Sequence, residues 1–364
     1  FGRIEKKDSK QTKKEEKENM YKKGNLKKAL SAVLSLALTA AALPFDMSGG
    51  TAVYAASAGV SAERIASDER KIKINDDWRF CLLDKAREMN NSLDQTASRP
   101  DYTESGEWST VQLPHDWSIY QQFSDSEARA AQGSLPGGTG WYRKSFTLPD
   151  DMKDQNVVLQ FDAVQMVSEV WINGVNLGKQ FLGYVTFEYD ITKHLKFNGE
   201  ENVIAVKAYS SKDSARWYSG AGIYGSVYLI ATEKVHIPVN GVHVATVVKE
   251  DGKYIQPDFH TEPDMDALKQ KSTVNVRTNI ANKTSSAAEV TVKSTIYSKE
   301  NPNVASKEDV LTIPAPANGK DSNTGRVDQI LEIANPDLWS VDNPNLYWVK
   351  TEIIQDGEVV DTLD

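Results

Sequence analysis

The chain of 364 residues has one cysteine, Cys81, which excludes an intrachain disulfide framework and any multi-cysteine metal site. On its own Cys81 reads as a partly buried thiol. The five histidines, His115, His194, His236, His243 and His260, show no His-x-x-x-His pair, so no helical metal motif is present. Positive charge is in deficit: 42 Lys and Arg face 51 Asp and Glu, a net charge of −9. That balance leaves no basic footprint for a nucleic-acid partner. Phosphate-cradling signatures are missing too, since Gly137–Trp141 (GGTGW) lacks the spacing and the strand-to-helix context of a dinucleotide fingerprint. No helical periodicity runs convincingly beyond about ten residues.

What is present begins with a polar segment. Residues 1–19 interleave Lys and Glu and cannot bury a core, so disorder is expected there. Met20 opens a different pattern. Lys22, Lys23, Lys27 and Lys28 precede the apolar run Ala29–Leu43, and small residues follow in Thr51–Ala58. The run is too short for a comfortable membrane span, and the order of parts is that of a secretory leader over 20–58, cleaved after Ala55 or Ala58. Export to the exterior or the cell surface is the expectation. Residues 59–71 read as a linker.

Beyond the linker the text is strand-like. Val157–Val164 is a short apolar run, and Asn202–Tyr209 alternates Ile204, Val206 and Ala208 with Lys207 and its neighbours. In Glu169–Gly178, Asn173-Gly174 parts two apolar stretches. Both residues tolerate positive φ, so a two-residue hairpin is predicted. Tyr224–Glu233 is a further strand. The spacing predicts an all-β jelly roll over 72–234. A second unit, 235–364, offers Thr273–Ile280, Glu289–Tyr297, Val327–Ile333 and Asn345–Ile354 as strands of an immunoglobulin-like sandwich. In the first of these Val274, Val276, Thr278 and Ile280 share one face. The segments 251–266 and 313–326 read as loops.

Six stretches occur in an order that resembles one family. They are LPHDW (Leu113–Trp117), GTGWYRKSF (Gly138–Phe146), VWINGVNLG (Val170–Gly178), GYVTFEYDIT (Gly183–Thr192), ARWYSGAGIYGSV (Ala215–Val227) and LWSVDNPNLY (Leu338–Tyr347). The chain is similar to the N-terminal part of a family 2 glycoside hydrolase, most like its β-galactosidases, with β-glucuronidases and β-mannosidases as alternatives. The resemblance implies a sugar-binding-like jelly roll, an immunoglobulin-like sandwich and then a (β/α)8 barrel that is absent from this chain. That barrel would carry two glutamates about 5–5.5 Å apart, for hydrolysis with retention. Glu358–Asp364 (EVVDTLD) reads as the last strand before it. Partners implied are β-galactoside sugars and the protein's own barrel, with oligomers allowed for. No cofactor is expected in this chain, and Mg or Na is implied only for the longer enzyme.

No catalytic residue is assigned within the chain. Asp101 with Glu104 or Glu107, Asp116 and Asp213 are carboxylates by type, but none lies in a context that predicts a facing pair. His115, Asp116 and Ser118 have the residue types of a triad, yet neighbours along a loop or strand point apart. Their expected role is to bond backbone and neighbours. For substrate contact the resemblance points to Arg216, whose guanidinium can donate a fork of hydrogen bonds to sugar hydroxyls, and secondarily to the ring of Trp217. Some family members place an Asn where this chain has Gly137. Tyr184, Phe187 and Tyr189 are expected in the core, and Trp117, Trp141 and Tyr142 on an apolar face turned to the barrel. Two other classes stay open: a free-standing carbohydrate-binding module, and a spacer of sandwich domains on a cell surface.

Overall fold

The computed structural model describes residues 63–64, 69–83, 96–126, 128, 130, 133–211, 217–250, 253–255 and 265–364. The expected polar segment and leader, 1–58, lie outside the described residues, as do Asp213 and Arg216. No helix among the described residues is long and apolar enough to cross a membrane.

The strands of the first sandwich are β1 (Glu63–Arg64), β2 (Lys71–Lys73), β3 (Trp78–Leu82), β4 (Ser109–Val111), β5 (Gly138–Thr147), β6 (Asn156–Phe161), β7 (Val167–Ile172), β8 (Val175–Gln180), β9 (Phe187–Asp190), β10 (Asn202–Ser210) and β11 (Val227–Thr232). One sheet runs β4-β3-β5-β10-β7-β8, with β1 also on β5; the facing sheet runs β2-β11-β6-β9. The predicted hairpin is there: Asn173 (φ 50°) and Gly174 (φ 82°) join β7 to β8.

Both faces of β5 are covered, and that places its charges. Tyr142 and Phe146 join Trp78, Phe80, Trp117, Phe161 and Ile204 in the core between the sheets. Trp141 points the other way, where its ring stacks on Trp171 at 5.2 Å and packs with Cys81, Trp108 and Ala205. The segment 96–108 lies over that second face. Arg143 holds it, donating to the carbonyls of Ala97 and Arg99 and facing Glu104 at 3.6 Å. Glu104 also accepts from Arg79 at 2.6 Å. Lys144 is buried and donates to the Asp76 carbonyl at 2.6 Å. The expectation that Trp117, Trp141 and Tyr142 form an exposed face is therefore corrected. They are 2%, 0% and 0% exposed, because each side of β5 meets a packed layer.

The second sandwich contains β12 (Val235–His236), β13 (Val242–Glu250), β14 (Lys253–Ile255), the short helix α1 (Met265–Gln270), β15 (Lys271–Asn282), β16 (Ala288–Tyr297), β17 (Ala305–Ile313), β18 (Asn323–Ala334), β19 (Trp348–Gln355) and β20 (Glu358–Leu363). β15 pairs with β12, β13 and β18, β13 continues to β14, and the opposite sheet runs β17-β16-β19-β20. Val274, Val276, Thr278 and Ile280 all point inward, as their period of two requires. Three boundaries differ from the sequence reading. β14 lies inside the expected loop 251–266, because it pairs back on the end of β13, and α1 begins at its end. β18 begins at Asn323, inside the other expected loop, because it pairs with β15 along its whole length. β19 begins only at Trp348, because Leu338–Tyr347 closes on itself. There Asp337 N–H donates to the Tyr347 hydroxyl at 2.9 Å, and Asn345 donates to the carbonyls of Asn343 and Leu338.

Candidate functional site

Loops at one end of the first sandwich meet around Asp116. The segment Leu113–Phe123 enters beside Ile223, whose carbonyl accepts the His115 N–H at 2.8 Å. Gly222 exchanges backbone hydrogen bonds with Gln165 at 2.8 and 2.9 Å, which brings the 165 region to the same end. Ser118 Oγ donates to the Pro136 carbonyl at 2.7 Å and ties in the turn before β5. Asp116 is the shared acceptor. Its Oδ1 takes the N–H of Ser118 at 2.9 Å and of Ala221 at 3.1 Å, and its Oδ2 takes the Tyr218 hydroxyl.

Glycines make that approach feasible. A Cβ on Gly222, whose φ is +86°, would lie 2.2 Å from the Tyr142 hydroxyl and 2.9 Å from the Trp117 ring. A Cβ on Gly137 would lie 2.2 Å from the Ser210 carbonyl oxygen, so no side chain can stand at that position without moving β10.

The three residue types that suggested a triad do not form one. His115 Nδ1 bonds the Tyr142 hydroxyl at 2.8 Å, and its ring packs edge-on against Phe80. Burial holds the His115 imidazole below its ordinary pKa, against the pull of Asp116. Ser118 and Asp116 are engaged with backbone, as above. Glu104 is a counter-ion for Arg79 and Arg143. Among the described residues no three His, Cys, Asp or Glu side chains gather as metal ligands.

The surface of this end is aromatic. Trp217 and Tyr184 are each 61% exposed, and the Trp217 indole N–H donates to the Tyr184 hydroxyl at 3.3 Å. Tyr184 thus leaves the core position expected for it, while Phe187 stays buried and stacks on Phe161. The loop carrying Tyr184 is anchored by the Tyr224 hydroxyl, which donates to the Gly183 carbonyl at 2.6 Å. Ile119, Tyr120, Phe123, Phe181 and Leu182 are exposed as well. The sequence reading singled out Trp217 but passed over Tyr184, Tyr218 and the tie made by Asp116. One local signal was available: an Asp two residues ahead of Ser118 is the pattern of an Asx turn.

The Tyr218 phenol is held well above its ordinary pKa, first by burial and then by its hydrogen bond to Asp116. A raised folded value means the neutral phenol is favoured. Its contribution is complete below the free tyrosine pKa of about 10 and is lost as pH rises through the folded value. Asp116→Asn is expected to lower the Tyr218 pKa, read by ultraviolet titration as the difference between parent and Tyr218→Phe. Identical titrations of Tyr218 with and without the Asp116 carboxylate would dismiss this coupling.

Comparison with known proteins gives a consistent result. The family model described as "Glycosyl hydrolases family 2, sugar binding domain" matches residues 71–233. The model described as "Glycosyl hydrolases family 2" matches residues 253–364. A β-galactosidase of Bacteroides ovatus, BoGH2A, is 32% identical over 303 residues, which is 83% of this chain and 32% of that protein. A β-glucuronidase of Formosa agariphila is 30% identical, over 83% of this chain and 30% of that protein. The crystal structure of a glycosyl hydrolase family 2 member from Bacteroides cellulosilyticus superposes with a TM-score of 0.64 at 30% identity, covering 81% of this chain and 36% of that one. The chain spans about a third of the length of these relatives.

Proposed function

Because this chain belongs to glycosyl hydrolase family 2, we propose that it is the N-terminal, non-catalytic portion of an exported β-galactosidase. The longer protein would hydrolyse terminal β-galactosides with retention, on a pair of barrel glutamates outside this chain. The observation that carries this reading is the aromatic loop end built around Asp116, with Trp217 and Tyr184 presented outward. Aromatic faces receive the C–H faces of sugars, and loops held by a rigid sandwich are where binding residues collect. Trp217 and the adjacent Arg216 are the substrate-facing residues of the proposal. The exposed apolar side chains around them form the face that the barrel would cover. Mg or Na is part of the proposal only for the longer enzyme.

β-Galactosidase is preferred on the likeness to BoGH2A, and β-glucuronidase is the second reading on the likeness to the Formosa enzyme. The leader read at 20–58 supports export to the exterior or the cell surface. A chromogenic β-galactoside and the matching β-glucuronide test the proposal together. This chain alone is expected to turn over neither. A version extended through the following domain is expected to hydrolyse the galactoside, and to lose most of that activity as Arg216→Ala. Turnover by the chain alone would overturn the non-catalytic reading. Preference for the glucuronide would move the assignment to the second reading.

A further inference from the structure

Glu233 and Lys234 join β11 of the first sandwich to β12 of the second, and charged side chains reach across the boundary. Asp361 on β20 accepts from Arg70, which precedes β2, at 2.7 and 3.2 Å, and from the Ile237 N–H at 2.7 Å. Lys283, just after β15, donates to Asn156 on β6 and Asp190 on β9. Lys193 reaches Asp321 across the same boundary. A cleft of about 190 Å³ opens there, lined by Arg70, Asn156, Asp190, Lys283 and His236 and by Glu188.

His236 sits in the middle of this arrangement. It is 4% exposed, and its Nδ1 has no hydrogen-bond partner. The groups that face it are Arg70, Lys283, Asp361 and the Glu233 carbonyl. Burial is the main influence and favours the neutral imidazole; Arg70 and Lys283 act in the same direction, while Asp361 and the Glu233 carbonyl oppose it.

We propose that the junction between the two sandwiches is an acid-sensitive hinge, loosened when the His236 imidazole takes up a proton. The added charge stands beside two cations that already hold the joint. Two of the carboxylates at the joint are committed, Asp361 to Arg70 and Ile237, and Asp190 to Lys283 and to the Thr192 N–H. A third, Glu188, is held above its ordinary pKa by burial, so it moves toward its neutral form as the pH falls. On protonation Nδ1, which has no hydrogen-bond partner, becomes a donor; the Glu233 carbonyl facing the ring is neutral, and a buried charge without a free counter-ion is relieved by admitting water from the cleft. The sign follows. A folded value below the free histidine pKa of about 6.5 means the junction is intact above that pH and weakens as pH falls from there through the folded value. The consequence is an orientation between the sandwiches that depends on acidity, whatever reaction the longer protein performs.

Small-angle scattering of the two-sandwich chain tests this at about pH 7.5 and about pH 5, the range in which histidine changes charge. The parent is expected to lengthen in acid. His236→Gln and His236→Asn, checked for folding by circular dichroism, are expected to keep one length at both. Equal acid expansion in the variants, or none in the parent, would overturn the hinge. Should neither variant fold, NMR of the His236 ring in the parent decides: a ring titration coincident with the expansion supports it, and a separate midpoint refutes it.

Discussion

Trp117→Ala is expected to destabilise the first sandwich by about 3–5 kcal/mol, the range for truncating a buried aromatic. The Trp117 ring is 2% exposed and stacks on Phe80 at 5.7 Å, with Tyr142 at 6.3 Å. It also fills the space left by two glycines, Gly140 and Gly222, whose Cβ positions would lie within 3 Å of it. Those glycines sit on backbone fixed by β5 pairing and by the Gln165 bridge, so the site cannot collapse onto the void. The loss is thus placed toward the upper end of that range. Trp217→Ala, one loop away and exposed, is expected to change stability by no more than about 0.5 kcal/mol. Urea unfolding followed by circular dichroism separates the two. Equal losses would mean that the two tryptophans do not have the opposite burial described.

The second large effect is expected at the junction. Asp361→Ala removes the acceptor of two Arg70 bonds and of the Ile237 N–H. Asp361 is 6% exposed, so Arg70 and a buried N–H are left uncompensated. Breaking one side of a buried pair costs about 3–5 kcal/mol, and the partial exposure of Arg70 sets the expectation at about 3 kcal/mol. The double replacement Arg70→Met with Asp361→Leu is expected to recover the part due to the stranded charge, while the Ile237 N–H and carbonyl stay without these partners. A thermal scan of the parent, the single and the double variant checks it. A double variant as unstable as Asp361→Ala would show that the stranded charge does not carry the loss.

Much of the architecture could be read from the amino acids. Alternation in Thr273–Ile280 marked its inner face, and Asn173-Gly174 marked its turn, because each signal is local and acts through the backbone. The placement of β5 could not be read that way. Arg143 follows Trp141 on one face and Lys144 follows Tyr142 on the other, so the alternation marks neither face as buried. Yet both cations end on carbonyls, at Ala97, Arg99 and Asp76, which come from distant parts of the chain. A cation satisfied by backbone far away leaves no mark on its own neighbourhood. The same holds at the candidate site. Trp217 stood out by its motif, but its contact with Tyr184 joins residues 33 apart, and the loop carrying Tyr184 gave only a strand-like aromatic pattern. The closure of Leu338–Tyr347 was hidden for a related reason: its strand-like end is taken up by hydrogen bonds within the loop.

The turn between β7 and β8 has a chemical consequence as well as a geometric one. An Asn followed by Gly is the sequence most prone to cyclise and lose its side-chain amide over time. That reaction needs the Asn side chain to swing so that the next backbone nitrogen can attack it. Here the Asn173 amide donates to the His194 carbonyl at 2.8 Å and to Asn202 Oδ1 at 2.9 Å, while its oxygen accepts from the Val203 N–H at 2.9 Å. With its nitrogen and oxygen both held, the side chain is kept from that swing. The fold therefore gives this bond a chemical longevity that its two letters alone would deny it, and a deamidated Asn173 would be a marker of protein that had already unfolded.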